Sequence, residues 1–300
     1  MMKKIYIYLT LLILPAIVGI IYFDIFNGKV KRTDFLYDSR GSIISSSPFP
    51  PSRHAVFGVD SSSNHMAYEV LSGYRLTLLI LIIIALVSLT LAIIIGTYLA
   101  FSKRSGTFLQ AVTNPFFYIP QSILAYIFLR PVLYEPLNGF ENSADCRILF
   151  NIMILILLMI PTTVVLIKES TEIILGKEFI VSAYTFSPSK THIYFKHVWP
   201  NMTTQYFIIF LRLLFQTLII ISHLAFFKIF FGGTDVCYGS ACEIIEKPVF
   251  PELSSLMGYH FNDLTIAWWT FYAPLMAIIY MMLLMQMMVR ELEKRKKIQK

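Results

Sequence analysis

The sequence predicts an all-α protein that crosses a membrane several times. Of its 300 residues, 56% are hydrophobic and only 14% are charged, against about 25% charged residues in ordinary soluble domains. Mean hydropathy is +0.66. Apolar runs of about 18 or more residues recur along the chain, and each is long enough to cross a hydrocarbon core of about 30 Å as a helix. This pattern excludes an ordinary cytosolic enzyme.

Six of these runs are predicted to span the bilayer: residues 5–23, 76–101, 109–133, 149–167, 206–231 and 264–289. Pro115, Pro120 and Pro161 lie within runs and predict kinks there. The first run follows Lys3 and Lys4, as in a signal peptide. Its apolar stretch is too long for a signal-peptide core and no small-residue cleavage site follows it, so we interpret it as an uncleaved anchor.

Basic residues near the ends of the runs predict a multi-pass protein of the cytoplasmic (cell) membrane with both termini in the cytoplasm. In that orientation the inner segments hold 14 Lys or Arg residues and the outer loops eight, and the C-terminal sequence RELEKRKKIQK is the strongest evidence for this orientation. Anionic membrane lipid at the inner face accounts for the net charge of +7. We therefore expect contact with lipid and no nucleic-acid partner.

The predicted spans divide the chain into four parts. Residues 1–23 form an N-terminal anchor helix, and residues 24–73 form an outer cap segment. Residues 74–289 form a five-helix core that includes a cytoplasmic loop at residues 168–202, and residues 290–300 form a basic cytoplasmic tail. The cap segment is too short to be predicted as an independent domain.

A polar insert, KEFIVSAYTFSPSKTHIYFKHVWPN at residues 177–201, separates the fourth run from the fifth. Its first part, taken as a helix, has an apolar face and a polar face, which comprise Phe179, Ala183 and Phe186 and, opposite them, Glu178, Ser182 and Thr185. Ser187-Pro188 ends that helix, and a second helical run, residues 191–199, leads to Pro200. The pattern alone predicts an amphipathic connector along the membrane surface.

The order of residues in this insert resembles the cytoplasmic coupling loop of binding-protein-dependent ABC importer permeases. Those loops carry Glu-Ala-Ala, three residues and Gly, then about nine residues and Ile-x-Leu-Pro. The corresponding residues here are Val181-Ser182-Ala183, Ser187 and Val198-Trp199-Pro200-Asn201. Val181, Ser187 and Trp199 depart from the family's Glu, Gly and Leu.

Two further segments are similar to the C-type permease subunit of oligopeptide, dipeptide and nickel importers. The segment HAVFGVDSSSNHMAYEVLSGYRLTLLI resembles the one that precedes that subunit's second span, and the matching residues are His54, Gly58, Asp60, Gly73, Arg75 and Leu78. The stretch that begins PELSSLMGYHF resembles the last loop and span. The match is collinear over nearly the whole chain.

This resemblance implies a type I ABC importer permease fold and a subunit that moves di- or oligopeptides by alternating access. It implies a coupling loop that comprises Glu178, Val181, Ser182, Ala183, Ser187, Pro188 and Pro200. The implied partners are a homologous second permease subunit, two cytoplasmic ABC ATPase subunits and an extracytoplasmic solute-binding lipoprotein. The sequence has no phosphate-binding loop motif, so ATP and Mg are expected on the ATPase subunits, and this chain is expected to be no enzyme and to bind no cofactor.

Two alternatives stay open. The chain could be the corresponding subunit of an importer of metal chelators or signalling peptides. It could instead be a non-transporting scaffold or sensor derived from the permease fold, which the changes at Val181 and Ser187 favour. The cap segment is expected either to form part of the landing surface for the binding protein or to be a passive loop.

A stripe of polar residues in the fifth run is the candidate translocation path. Gln205, Arg212, Gln216 and His223 are 7, 4 and 7 residues apart, which places them within about 40° of one helix face. Such residues at membrane depth face either a water-filled path or a neighbouring helix, and both interpretations stay open. Lys228, on the opposite side, is expected only to extend towards the interface.

The cysteines of the predicted outer loops give one further hypothesis. Cys237 and Cys242 could close a small loop as a disulfide or stay free thiols, and Cys146 lies near the outer end of the fourth run. No His accompanies the pair at ligand spacing. The sequence therefore predicts no metal site.

Overall fold

The computed structural model describes residues 2–37, 42–53, 55–102, 113–116, 118–186, 189–238 and 246–298. Its main helices are α1 Met2–Ile20, α2 Met66–Phe101, α3 Gln121–Leu133, α4 Ala144–Leu175, α5 Glu178–Phe186, α6 Lys190–Ile193, α7 Trp199–Phe226, α8 Leu253–Tyr259 and α9 Trp268–Ile298. Two π-helical segments, Ile21–Ile25 and Tyr194–Val198, and a 3-10 helix, His260–Thr265, connect some of them. Four short strands complete the elements: β1 Phe35–Tyr37, β2 Ile43–Ser46, β3 Thr234–Val236 and β4 Glu246–Pro248.

The chain is a mostly helical, multi-pass membrane protein. Among the described residues, five helical segments are long and apolar enough to cross a membrane: Lys3–Ile25, Met66–Phe101, Ala144–Leu175, Lys190–Phe226 and Trp268–Lys296. They correspond to five of the six predicted spans. The two small sheets, β1–β2 and β3–β4, are antiparallel pairs in the connecting segments.

In the remaining predicted span, residues 109–133, the longest helix among the described residues is the short helix α3. α3 has 13 residues and is therefore about 20 Å long, which is less than the hydrocarbon core. It starts directly after Pro120, whose ψ of 120° is not helical. Residues 113–116 are helical, whereas residues 103–112 lie outside the described part of the chain. The described residues thus show a helix that is interrupted at Pro120.

Several helix ends differ from the predicted span ends. α2 begins at Met66, ten residues before the apolar run does, and α9 continues to Ile298 through most of the predicted basic tail. α7 ends at Phe226, because the chain turns at Lys228 with a φ of 58°. The prediction that the span continues to residue 231 was therefore wrong.

The second half of the polar insert is the beginning of a membrane helix. α6, the π-helical segment and α7 form one helical rod, Lys190–Phe226. Pro200 lies at the start of α7 and has no N–H to donate to a preceding carbonyl. The wider π turn directly before it, Tyr194–Val198, accommodates the missing hydrogen bond without ending the helix.

α2 is the centre of the bundle and packs against α1, α4 and α7. It approaches α4 closely at Gly96, where a Cβ would lie only 2.9 Å from Ile167 and from the Val164 carbonyl oxygen. The contact side of α2 is buried at Leu81, Ile84 and Ala85. Small and branched apolar side chains thus hold the spans together.

The two ends of the bundle are composed of different segments. At one end, which we call the cap end, the segment before α2 meets residues 227–267, and the indole N–H of Trp269 donates to the Val59 carbonyl (3.1 Å). At the other, the loop end, the Lys190 ammonium donates to the Phe101 carbonyl (3.3 Å) and α5 follows α4. The C-terminal end of α9 also reaches the loop end, where the Lys296 ammonium donates to Gln205 (2.6 Å).

Candidate functional site

Three residues of the predicted polar stripe line one cavity inside the bundle. The cavity has a volume of about 450 Å³, and Arg212, Gln216 and His223 of α7 lie along one wall. The facing walls carry the polar residues Gln121 and Ser122 at the start of α3 and Thr162 and Thr163 of α4. The stripe thus faces the start of α3, which begins directly after Pro120, and α4, which continues as a helix through Pro161.

The middle of the stripe contacts the interrupted helix directly. The Gln216 side-chain N–H donates to the side-chain Oε1 atom of Gln121 (2.7 Å). Gln121 is the first residue of α3, whose N-cap, Pro120, makes no side-chain capping bond. The first N–H groups of a helix have no partner within it and carry partial positive charge. The cavity therefore combines amide groups with a helix N-terminus.

The loop end of the stripe is bound by α9. The Arg212 guanidinium donates to the Glu293 carboxylate (2.5 Å), and the Lys296 ammonium donates to the Gln205 side chain (2.6 Å). Gln205 does not line the cavity. The Arg212 side chain remains 51% exposed despite its ion pair, and His223 is also exposed. This chain thus leaves two ionisable side chains of one spanning helix exposed.

The predicted coupling loop folds as a helix, α5, followed by the rod that starts at Lys190. Ile180 is fully buried, Ala183 is half-buried, and Phe179 and Val181 are exposed, Val181 at 58%. The residue of α5 that packs against the core is Ile180, which the predicted apolar face did not include. Ser187 and Pro188 lie outside the described residues.

The polar residues of α5 bond within their own helix. The Ser182 hydroxyl donates to the Glu178 carbonyl (3.0 Å) and the Thr185 hydroxyl to the Ser182 carbonyl (2.6 Å). Exposed apolar side chains lie among the charged and polar ones at the loop end, and they include Phe195 and Trp199. Exposed apolar groups of this kind indicate contact with another protein or with the membrane.

A buried cluster at the cap end was not predicted from the sequence. One ligand-type atom each of Asp60, Glu69 and His260 lies within 4.8 Å of the other two. The His260 Nδ1 atom is 2.8 Å from the Asp263 carboxylate, and its Nε2 atom is 3.7 Å from the Glu69 carboxylate. The residues are up to 200 positions apart, so spacing along the chain could not reveal the cluster.

The cluster shifts the pKa values of its members. Burial raises the pKa of Asp60 to about 6, and the nearby Glu69 carboxylate adds to this effect. Burial lowers the pKa of His260, but the hydrogen bond to Asp263 and the proximity of Glu69 and Asp60 outweigh it and raise the pKa to about 9. The surrounding carboxylates thus strongly favour a positive charge at this position.

A second buried carboxyl group, Glu252, fastens α8 at the cap end. Its oxygens accept the backbone N–H groups of Ser254 (2.8 Å) and Ser255 (2.6 Å) and the Ser255 hydroxyl (2.7 Å), so that Glu252 caps the helix. The Thr77 hydroxyl of α2 lies 3.1 Å from the same group and accepts the Leu253 N–H (2.9 Å). This network joins α8 to α2 without an exposed charge.

The cysteines and Lys228 complete the cap end. Cys146 is a free, exposed thiol, and Cys237 is disulfide-bonded. Cys242 lies outside the described residues, so the Cys237–Cys242 pair stays a prediction. The Lys228 ammonium donates to the Gly258 carbonyl (2.8 Å). The prediction that Lys228 only extends towards the interface was wrong, because this bond fastens it to α8.

No protein-family model matches this chain, and no curated protein matches it. The function is therefore inferred from the residues and their geometry.

Proposed function

We propose that this chain is a permease subunit of an ABC importer that moves di- or oligopeptides across the cytoplasmic membrane by alternating access. The observation that carries the proposal is the cavity in which Arg212, Gln216 and His223 face the interrupted helix α3. Interrupted helices whose N-termini face a polar cavity near mid-membrane are typical of transport sites. The sequence resemblance to C-type permeases narrows the proposal to this class.

The chemistry of the cavity suits a peptide. The Arg212 guanidinium attracts a carboxylate, and the N-terminus of α3 favours negative charge. The side-chain amides of Gln121 and Gln216 offer donors and acceptors of the kind that pair with peptide groups. Apart from their mutual bond, these two amides retain unused donors and acceptors for a solute.

The exposed ionisable residues require a second chain or water. Ionisable groups in a spanning helix avoid lipid and face a partner or a water-filled path. In this proposal a homologous second permease subunit covers Arg212 and His223 and completes the path. The cap end faces outwards and receives a solute-binding lipoprotein, and both termini are in the cytoplasm.

The loop end is the proposed contact with two ATPase subunits, which bind ATP and Mg. Ile180 anchors α5 in the bundle core, while Phe179 and Val181 remain available for a partner. A force applied to α5 would therefore reach the spans through Ile180 and through the rod that starts at Lys190. At the position of the family's Glu, Val181 would contact the ATPase subunit through apolar surface instead of through a carboxylate.

The first test is purification of the tagged full chain from its native membrane in mild detergent, with identification of the proteins that accompany it. We expect a second permease, ATPases and a binding lipoprotein. Reproducible recovery of intact protein without any ATPase would contradict the importer and favour the scaffold or sensor. A recovered binding lipoprotein then shows, by its ligand, whether peptides or chelators are carried.

The second test measures peptide uptake by variants of the cavity. Gln216→Leu is expected to reduce uptake at least tenfold, since it removes the amide that pairs with Gln121. Thr217→Val is the matched control, because Thr217 is buried in the same helix turn, donates to the Leu213 carbonyl of its own helix (2.8 Å) and does not line the cavity. Equal uptake by both variants at equal membrane levels would exclude the cavity as the path.

A further inference from the structure

We propose that Asp60, Glu69 and His260 bind one divalent transition-metal ion, with Zn²⁺ as the best fit, at the cap end of the bundle. One imidazole and two carboxylates are ligands that such ions accept. The three come from three separate segments: the chain before α2, the first turn of α2 and the 3-10 helix after α8. The proposed ion would therefore fasten the cap segment to the bundle.

The strongest observation is a buried nitrogen that pairs with a carboxylate only at a distance too long for a hydrogen bond. The His260 side chain is only 1% exposed, and its Nε2 atom makes no hydrogen bond to any part of the chain that the structure describes. The same is true of the Glu69 Oε2 atom, 3.7 Å away. Buried polar atoms nearly always have a partner. A metal ion between these two atoms would satisfy both.

Neighbouring groups orient the His260 and Asp60 side chains as in a metal site. The His260 Nδ1–H donates to the Asp263 carboxylate (2.8 Å), so that Nε2 is the atom that would bind an ion, in exchange for its proton. A carboxylate behind a histidine ligand is the usual outer support of such sites. Asp60 is held by the backbone N–H of Asn64 (2.6 Å) and by its side-chain amide (3.3 Å). Each Asp60 oxygen keeps a further lone pair for the ion.

Distance and charge favour a small divalent ion. Tetrahedral Zn²⁺ with ligands at 2.0–2.2 Å separates its ligand atoms by about 3.4 Å, close to the 3.7 Å between His260 and Glu69. Three ligands leave a fourth position for water. Ca²⁺ requires six to eight oxygen ligands and Cu⁺ prefers sulfur ligands, so neither suits the cluster. Two buried carboxylates compensate the charge of the ion.

The experiment uses the full chain with an affinity tag that contains no histidine. His192 and His197 are replaced by Gln in the parent protein, because their rings lie 6.4 Å apart at the loop end and could also bind Zn²⁺. The protein is stripped with a chelator, incubated with Zn²⁺ and passed through gel filtration. Metal is then measured by mass spectrometry. We expect about one Zn²⁺ per chain and a rise of several degrees in the unfolding temperature.

Glu69→Gln and His260→Gln are each expected to reduce bound Zn²⁺ at least tenfold, and Asp263→Asn is expected to weaken binding about 10- to 100-fold. Glu169→Gln, an exposed carboxylate of α4, is the matched control and should bind as the parent does. An unchanged gel-filtration profile identifies variants that are folded. Co²⁺ in place of Zn²⁺ gives an absorption spectrum that should change when Glu69 is replaced.

The proposal is overturned if the parent retains no more Zn²⁺ than folded Glu69→Gln does, or if both ligand variants bind like the parent. The first result would show that the cluster is a metal-free ion network around a protonated His260. Neither result depends on transport, so the metal site and the proposed importer function are tested separately.

Discussion

The cap end and the loop end of the bundle satisfy their polar groups in opposite ways. At the cap end, carboxyl groups are buried and bonded within the chain, as in the network around Glu252. At the loop end, ion pairs are exposed and apolar side chains such as Val181 and Phe195 are uncovered. Buried hydrogen bonds therefore stabilise the cap end, whereas charged and apolar side chains of the loop end are left exposed by this chain.

This difference predicts where substitutions change stability and where they change function. When a buried carboxyl group is removed, the N–H and O–H groups that donated to it lose their acceptor, and the free energy of unfolding falls strongly. An exposed ion pair contributes little to stability because water replaces it. Substitutions at the cap end should therefore unfold the protein, and substitutions at the loop end should leave it folded with altered activity.

The largest expected effect is that of Glu252→Ala. The change removes the cap of α8 and leaves the buried N–H groups of Ser254 and Ser255 unpaired. Loss of a cap costs about 1 kcal/mol, and each buried donor without a partner costs about 1–3 kcal/mol, so the free energy of unfolding should fall by about 3 kcal/mol or more. Thermal unfolding in detergent, followed by tryptophan fluorescence, measures it.

Glu169→Ala is the control for Glu252→Ala, since it removes an exposed carboxylate at the loop end of α4. It should leave the unfolding temperature nearly unchanged. Equal losses for the two variants would contradict the comparison between the ends, because burial of the carboxyl group would then have no effect.

The next effect is a contrast between two glycines. A Cβ at Gly258 would overlap the Ala225 carbonyl of α7, which is backbone and cannot move aside readily. Gly258→Ala should therefore lower the free energy of unfolding by about 1–3 kcal/mol. A Cβ at Gly176, at the loop end, would meet its nearest atom, the Glu172 carbonyl oxygen, at an ordinary 3.6 Å.

Gly176→Ala should consequently change stability by no more than about 0.5 kcal/mol. The same thermal unfolding assay compares both variants with the unsubstituted protein. A Gly258→Ala protein as stable as Gly176→Ala would show that α7 and α8 separate easily, and the cap end would then not be the rigid part of the molecule.

The sequence predicts the features that periodicity and composition encode. The recurring apolar runs correctly predict a multi-pass helical protein. The spacing of Arg212, Gln216 and His223 predicts that they share one face of α7, and all three line one cavity, which Gln205 does not. The helix after Gly176 follows from apolar residues at helical spacing, although Ile180, the residue that packs against the core, was not assigned to its apolar face. These features are local, so neighbouring residues suffice to predict them.

The remaining features depend on contacts between distant segments. Residues 227–231 are as apolar as a span, yet the chain turns at Lys228, whose ammonium donates to the Gly258 carbonyl thirty residues later. The cluster of Asp60, Glu69 and His260 combines residues from both halves of the chain. The basic tail continues α9 because good helix formers meet Gln205 and Arg212 of α7. No local pattern could predict these contacts.

The smallest expected effect on stability is that of Glu293→Ala at the loop end. In its ion pair, the Arg212 side chain is 51% exposed and the Glu293 side chain is 42% exposed. Exposed ion pairs contribute about 0–1 kcal/mol to stability. The free energy of unfolding should therefore change by less than about 1 kcal/mol. Uptake should change much more, since the Arg212 guanidinium, released from its partner, presents an uncompensated charge at the cavity.

The direction of that change distinguishes two roles of the pair. If Glu293 only holds Arg212 away from the solute, Glu293→Ala should increase the affinity for peptides with a free carboxylate, whereas Glu293→Gln should give a smaller increase. Arg212→Ala should abolish the preference for peptides with a free carboxylate, whether it is combined with Glu293→Ala or with Glu293→Gln. A large loss of stability in Glu293→Ala would instead show that the loop end, like the cap end, relies on its charged residues to stay folded.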